Sequence, residues 1–130
     1  MKTIDRVAEF HVAFGVPHWS KPLIPSADRV ALRIKLLREE LEELETALKE
    51  GDIYSILKES QDLQYVLDGT LCECGLAELK DAANAEVHAS NMSKLDENGE
   101  PVLRGDGKIL KSNLFREADI RTVFIKAGHR

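Results

Sequence analysis

Aromatic residues are scarce in this chain, 5% of 130 positions, and no series of short alternating apolar segments runs through it. Both absences argue against a β-sandwich. Positive charge is never gathered into a block, and the net charge is −5, so a nucleic-acid polymer is not an expected partner. No apolar run approaches the ~20 residues needed to span a bilayer. Lys2, Asp5, Arg6 and Glu9 interrupt the first ten positions, where a secretory leader would carry its apolar stretch. No membrane association is expected. The only cysteines are Cys72 and Cys74, which point to different sides of a helix and cannot easily bridge. They read as reduced thiols, which makes the cytoplasm the expected location.

What remains is helical. With 43% hydrophobic and 32% charged residues, the composition suits one helix-rich domain. Its core would be modest, and pairing with a second copy would enlarge it. A first helix is expected over Thr3–Phe14, stopped by Gly15. Pro17, Pro22 and Pro25 keep residues 16–26 out of any helix. Ser26 is an N-cap candidate for a second helix, Ala27–Glu50, whose Val30, Ile34, Leu37, Leu41, Leu44 and Leu48 repeat at helical spacing. Gly51 ends that helix, and Asp52 can cap a third, running to about Cys74 and stopped by Gly75. A fourth is expected from about residue 76 to 94 or 95. Beyond the turn at residues 96–99, Val102–Leu103 and Ile109–Leu110 flank a small hairpin, and the last dozen residues have no clear pattern. The expected architecture is an all-α four-helix bundle. Its centre is an antiparallel hairpin of the second and third helices, and its C-terminal tail is short and irregular or hairpin-like.

The informative residues are acidic. Lys35, Arg38 and Glu42 project away from the leucine stripe and explain themselves as solvated charge. Glu40 and Glu43 lie on its flank, between Leu36 and Ala47. On the third helix Glu59 interrupts the apolar face of Ile56, Leu63, Val66, Leu67 and Leu71, and Asp62 lies beside it. Lys58, Gln61 and Asp68 are expected to point outward. An uncompensated buried carboxylate costs several kcal/mol, comparable to the whole stability of a small domain. Acidic residues at i and i+3 share a helix face, so Glu40, Glu43, Glu59 and Asp62 should converge across the hairpin. An all-oxygen cluster without His or Cys selects Mg²⁺, with Mn²⁺ as a substitute.

Glu39-Glu40-x-x-Glu43 followed by Glu59-x-x-Asp62 resembles the EExxE…ExxD signature of the all-α nucleotide pyrophosphohydrolases. That superfamily includes MazG-type enzymes, dimeric dUTPases, dCTPases and phosphoribosyl-ATP pyrophosphohydrolases. The resemblance extends to Tyr65-Val66-x-x-Gly69-Thr70, to residues 86–94 and to the lysine-bearing residues 107–111. Ala118 departs from it, standing where a proline is expected before Asp119.

The resemblance implies Glu40, Glu43, Glu59 and Asp62 as metal ligands, with Glu39 as a further ligand or positioner of water. Glu39 and Glu40 are both candidates for the catalytic base. Asn91 and Lys94 would contact the sugar or phosphates of the nucleotide. The fourth helix adds a polar row of Asp81, Asn84, His88 and Asn91, in which Asn84 and His88 are further nucleotide-binding candidates. Lys108 and Lys111 are weaker phosphate candidates, and Trp19 in the proline-bearing loop is a candidate for stacking on a base.

The implied reaction is hydrolysis of a nucleoside triphosphate, with the deoxynucleotide favoured, to monophosphate and pyrophosphate. A homodimer or homotetramer is implied as the assembly. Phosphoribosyl-ATP hydrolysis in histidine synthesis is the nearest alternative, and a non-enzymatic helical interaction module is the rival of a different class.

Overall fold

The computed structural model describes residues 1–129. Among them the regular structure is helical apart from one hairpin of two two-residue strands, and no helix is long and apolar enough to cross a membrane. The chain divides into two units, Met1–Glu78 and the residues from Leu79 onward.

The first unit holds α1 (Thr3–Phe14), α2 (Ala27–Glu50) and α3 (Ile53–Glu73). Each boundary has a local chemical cause. Asp5 accepts from the Lys2 amide at 3.2 Å at the start of α1. The Ser26 hydroxyl accepts from the Arg29 amide at 3.4 Å, and the Asp52 carboxylate accepts from the amides of Tyr54 and Ser55 at 3.1 and 3.4 Å. These are N-cap bonds to otherwise orphaned amides. Gly51, at φ 71°, closes α2 in the left-handed conformation that favours glycine. A connection of only two residues forces α3 back along α2. The pairs across the seam confirm the antiparallel register: Arg29 meets Glu73, Arg33 meets Thr70, and Glu43 meets Glu59.

α1 packs on another flank of α3, where Ile4, Val7 and Cys72 form a small core backed by Ala8, Leu71 and Ala77. Asp68 is therefore fully buried rather than outward-pointing, because α1 covers the side of α3 that α2 leaves open, and Gln64 donates to it at 2.9 Å. The proline-bearing loop is tied to the end of α3 by the amides of Trp19 and Leu23, which donate to the carbonyls of Cys72 and Cys74 at 3.1 and 3.0 Å. Gly75 lets the loop lie that close, since a Cβ there would collide with the Lys21 carbonyl.

The leucine stripe divides. Val30, Leu37 and Leu44 are half-buried, whereas Ile34, Leu41 and Leu48 are exposed. The most buried positions of α2 are instead Arg33 and Ala47.

The second unit carries α4 (Lys80–Met92), β1 (Val102–Leu103), β2 (Ile109–Leu110) and α5 (Ile120–Lys126). The fourth helix is shorter than its sequence pattern. The Leu76 amide is still committed to Leu71 in closing α3, and the amides of Lys94 and Leu95 bond three residues back in a tighter turn. A 3₁₀ turn, Ala77–Leu79, leads into α4. β1 and β2 pair antiparallel, Val102 opposite Leu110, as expected. α5, which had no sequence signal, starts on Asp119, whose carboxylate accepts from the Thr122 amide at 3.0 Å. It packs on α4, and Glu86 ties the two by accepting from Arg116 at 2.7 Å and from the Asp119 amide at 3.0 Å.

Candidate metal and active site

The hairpin register sets two i, i+3 acidic pairs against each other. One carboxylate oxygen from each of Glu40, Glu43, Glu59 and Asp62 lies within 4.8 Å of the others. Glu40, Glu59 and Asp62 are half-buried and Glu43 is exposed, so the cluster is embedded on one side and open on the other. The open side is a cleft of about 450 Å³ whose walls include Glu39, Glu43 and Glu59. Glu42 also lines this cleft, although its helical phase marks it as plain surface charge.

Four carboxylates this close repel one another, and the described residues supply little to offset them. Lys58, expected to point outward, reaches back to Asp62 at 2.6 Å and to Glu59 at 3.5 Å. That geometry raises the Lys58 ammonium pKa, chiefly through its hydrogen bond to Asp62. Its side chain is 67% exposed, and solvent screens so exposed a counter-charge strongly. Burial, and after it the adjacent Glu43 carboxylate, push the Glu59 pKa upward. Glu40 Oε2 and Glu59 Oε2 are both buried with no hydrogen-bond partner among the described residues. Two orphaned acceptors in one acidic cluster are what a hard cation with oxygen ligands would satisfy. The donor set therefore fits Mg²⁺.

A separate group further along the hairpin holds the register. Glu73, 1% exposed, accepts from Arg29 Nε at 2.7 Å and pairs with Arg33 Nε at 3.1 Å. Arg33 also donates to the Val66 carbonyl at 2.6 Å and to the Thr70 hydroxyl at 3.1 Å. Sequence reasoning missed this group. Its signal was present in Arg29 and Arg33, which sit one turn apart on the α3-facing side of α2. Ser55 and Thr46, which also line the cleft, were missed as well. They fall one turn from Glu59 and Glu43 on the same helix faces.

The remaining candidates lie elsewhere. The Trp19 amide is bonded to Cys72, ten residues beyond Asp62, or ~15 Å along α3 at helical rise. Its side chain is 52% exposed. Asn84, His88 and Asn91 are exposed on α4, in the second unit, and Lys94 is half-buried just past its end. Lys108 is exposed in the hairpin turn. Lys111 lies 3.7 Å from Glu117 and over the Phe115 ring at 4.5 Å.

In comparison with known families, the model described as phosphoribosyl-ATP pyrophosphohydrolase matches residues 7–91. That span contains all of α2 and α3, and so the whole carboxylate cluster. No curated protein matches the chain.

Proposed function

Because the chain belongs to the phosphoribosyl-ATP pyrophosphohydrolase family, within the all-α MazG-like superfamily, we propose that it hydrolyses a nucleoside triphosphate, preferably a deoxynucleotide, to monophosphate and pyrophosphate. The observation that carries this reading is the converged quartet Glu40, Glu43, Glu59 and Asp62 with its two orphaned buried oxygens. A nucleotide pyrophosphohydrolase needs a place for the phosphates of its substrate, and an acidic cleft repels them unless cations intervene.

In this reading the quartet holds Mg²⁺, with Mn²⁺ able to replace it, and the bound ion would neutralise phosphate oxygens and lower the pKa of a coordinated water. By holding that ion, the carboxylates would set where the phosphates of the substrate bind. Water oxygen bonds to the α-phosphorus, the bond to the bridging oxygen of the β-phosphate breaks, and pyrophosphate leaves with that electron pair. A carboxylate takes the proton of the water. Glu40 and Glu39 are the candidates, the first half-buried in the cluster and the second exposed on the cleft wall. Asn84, His88, Asn91, Lys94 and Lys108 are assigned to the substrate. Lysines there would act as point charges on phosphate. A homodimer or homotetramer and a cytoplasmic location belong to the same reading.

The family description supports a second substrate, phosphoribosyl-ATP, in which the same bond type is cut. Incubation with the eight common NTPs and dNTPs and with phosphoribosyl-ATP, in Mg²⁺ and in EDTA, separates the readings. Metal-dependent release of pyrophosphate and a monophosphate from one or a few triphosphates is the expected result. Turnover of phosphoribosyl-ATP alone would move the protein to histidine synthesis. A diphosphate plus phosphate product would refute attack at the α-phosphorus.

A further inference from the structure

The quartet has one cation of its own, to which the hydrolytic chemistry assigns no task. Lys58 stands immediately before Glu59 on α3 and one turn before Asp62. Its Nζ lies 2.6 Å from Asp62 Oδ2 and 3.5 Å from Glu59 Oε1. Among the described residues no other basic side chain pairs with Glu40, Glu43, Glu59 or Asp62. The contact does little for α3 itself, because lysine before acid is the less favourable order of an i, i+4 pair. Nor does it complete the cluster. Lys58 reaches one oxygen on each of two carboxylates, and the buried Glu40 Oε2 and Glu59 Oε2 are left unserved.

We propose that Lys58 is a displaceable stand-in for the metal: it holds Asp62 and Glu59 in the metal-free protein and withdraws into solvent when a divalent cation binds. The inference rests on the reading above that the quartet holds Mg²⁺. Competition is the first argument. An ammonium bonded to two of the four prospective ligands contends with any ion seeking the same carboxylates, and two cations at one carboxylate repel each other. The divalent ion prevails because it carries twice the charge and can take the two buried oxygens that Lys58 leaves. The second argument is the exit. Lys58 is largely exposed whereas Glu59 is not, so the ammonium can swing into water on its flexible four-carbon stem without moving the backbone. Mg²⁺ then meets carboxylates already gathered, but it must displace a weaker cation, which raises the concentration needed to load the site. The rival role is an outer partner that orients Asp62 in the loaded site, and it predicts the opposite sign, since losing such a partner weakens metal binding.

The test compares the full chain with its Lys58→Met, Lys58→Arg and Lys49→Met variants, the last removing an equal charge whose partner is Glu45. Mg²⁺ affinity is measured by calorimetry without nucleotide, and Tm is measured with and without Mg²⁺. Lys58→Met is expected to bind Mg²⁺ roughly three- to tenfold more tightly. Its metal-free Tm should fall, because the quartet has lost its counter-charge. Lys58→Arg should return both values towards the wild type, and Lys49→Met should leave the affinity unchanged. Unchanged or weaker Mg²⁺ binding by Lys58→Met overturns the stand-in and leaves the metal reading in place. An unchanged metal-free Tm in Lys58→Met, or equal tightening by Lys49→Met, overturns it as well, since the effect would then be one of net charge. A wild type that binds neither Mg²⁺ nor Mn²⁺ removes the metal reading, and the stand-in with it.

Discussion

Glu59 is where the cluster's conflict concentrates. Its carboxylate is half-buried, faces Glu43, and leaves one oxygen without a partner. Burial and the neighbouring charge raise its pKa, so in the metal-free protein the folded state holds a proton over a range where the unfolded state has lost it. The folded state then binds more protons, and stability falls as pH rises from the ordinary carboxylate value through the raised one. Glu59→Gln removes that dependence. Without Mg²⁺ this variant should be at least as stable as the wild type at neutral pH, and the wild-type gain in Tm on adding Mg²⁺ should shrink sharply in it. Hydrolysis should fall by about 100-fold or more, since losing even an outer partner of a metal site costs about 10–100-fold. A Glu59→Gln protein that kept both its activity and its Mg²⁺ response would remove Glu59 from the site. Protons and metal also compete for this carboxylate, so Mg²⁺ affinity should weaken as pH falls through the raised Glu59 pKa. Calorimetric titrations at stepped pH would show this as a loss beginning above the ordinary carboxylate range, and a flat affinity across that range would contradict it.

Among the elements, α3 has neighbours on two flanks, and Gly69 is what lets them both approach. A Cβ at Gly69 would sit 2.5 Å from Arg33 Nη2 and 2.9 Å from His11 Nε2. Arg33 is pinned by Glu73, Thr70 and the Val66 carbonyl, and His11 by its Nδ1 contact with the Pro17 carbonyl at 3.0 Å. Neither can retreat freely. Gly69→Ala should therefore destabilise the protein by about 1–3 kcal/mol, the usual cost of overpacking, measured by chemical denaturation. A change within a few tenths of a kcal/mol would mean the Arg33 side chain moves aside without penalty.

The same helix shows what the sequence could reveal. The limits of α1, α2 and α3 were readable because glycine stops, side-chain caps and proline breaks act locally. The convergence of Glu40, Glu43, Glu59 and Asp62 was readable too, because a two-residue connection leaves one antiparallel register. The placement of α1 was not. Nothing local in Thr3–Phe14 names its partner, so Asp68 looked solvent-facing although α1 buries it. Lys58 is exposed as its helical phase implies, yet its long side chain bends back to Asp62, a contact that phase alone does not show. α5 spans only seven residues, too few for periodicity to register, and its start depends on Asp119 meeting Glu86 from a distant part of the chain.

At the scale of the whole molecule, the unresolved matter is apolar surface. Ile34, Leu41 and Leu48 recur every seven residues along α2 and are 46%, 55% and 58% exposed. Seven-residue spacing keeps side chains on nearly one line of a helix, which is the pattern of a seam between helices. Near the hairpin turn, Ile53, Tyr54 and Leu57 of α3 are also exposed, at 65% or more. Exposed apolar surface of this extent usually marks an association site, and closed symmetric dimers are the commonest outcome for one chain. Burying the stripe against a second copy would also enlarge a small core. Sedimentation of the wild type at micromolar concentration should accordingly give a dimer or tetramer. Replacing Leu41 and Leu48 together by lysine should give a smaller species, because the like charges would face one another across a symmetric seam. The carboxylate quartet lies on a different side of α2, so the substituted protein should retain the Mg²⁺-induced rise in Tm if each protomer builds its own metal site. Loss of that response together with the assembly would mean that the partner subunit completes the site. A monomeric wild type would instead assign the stripe to some other contact.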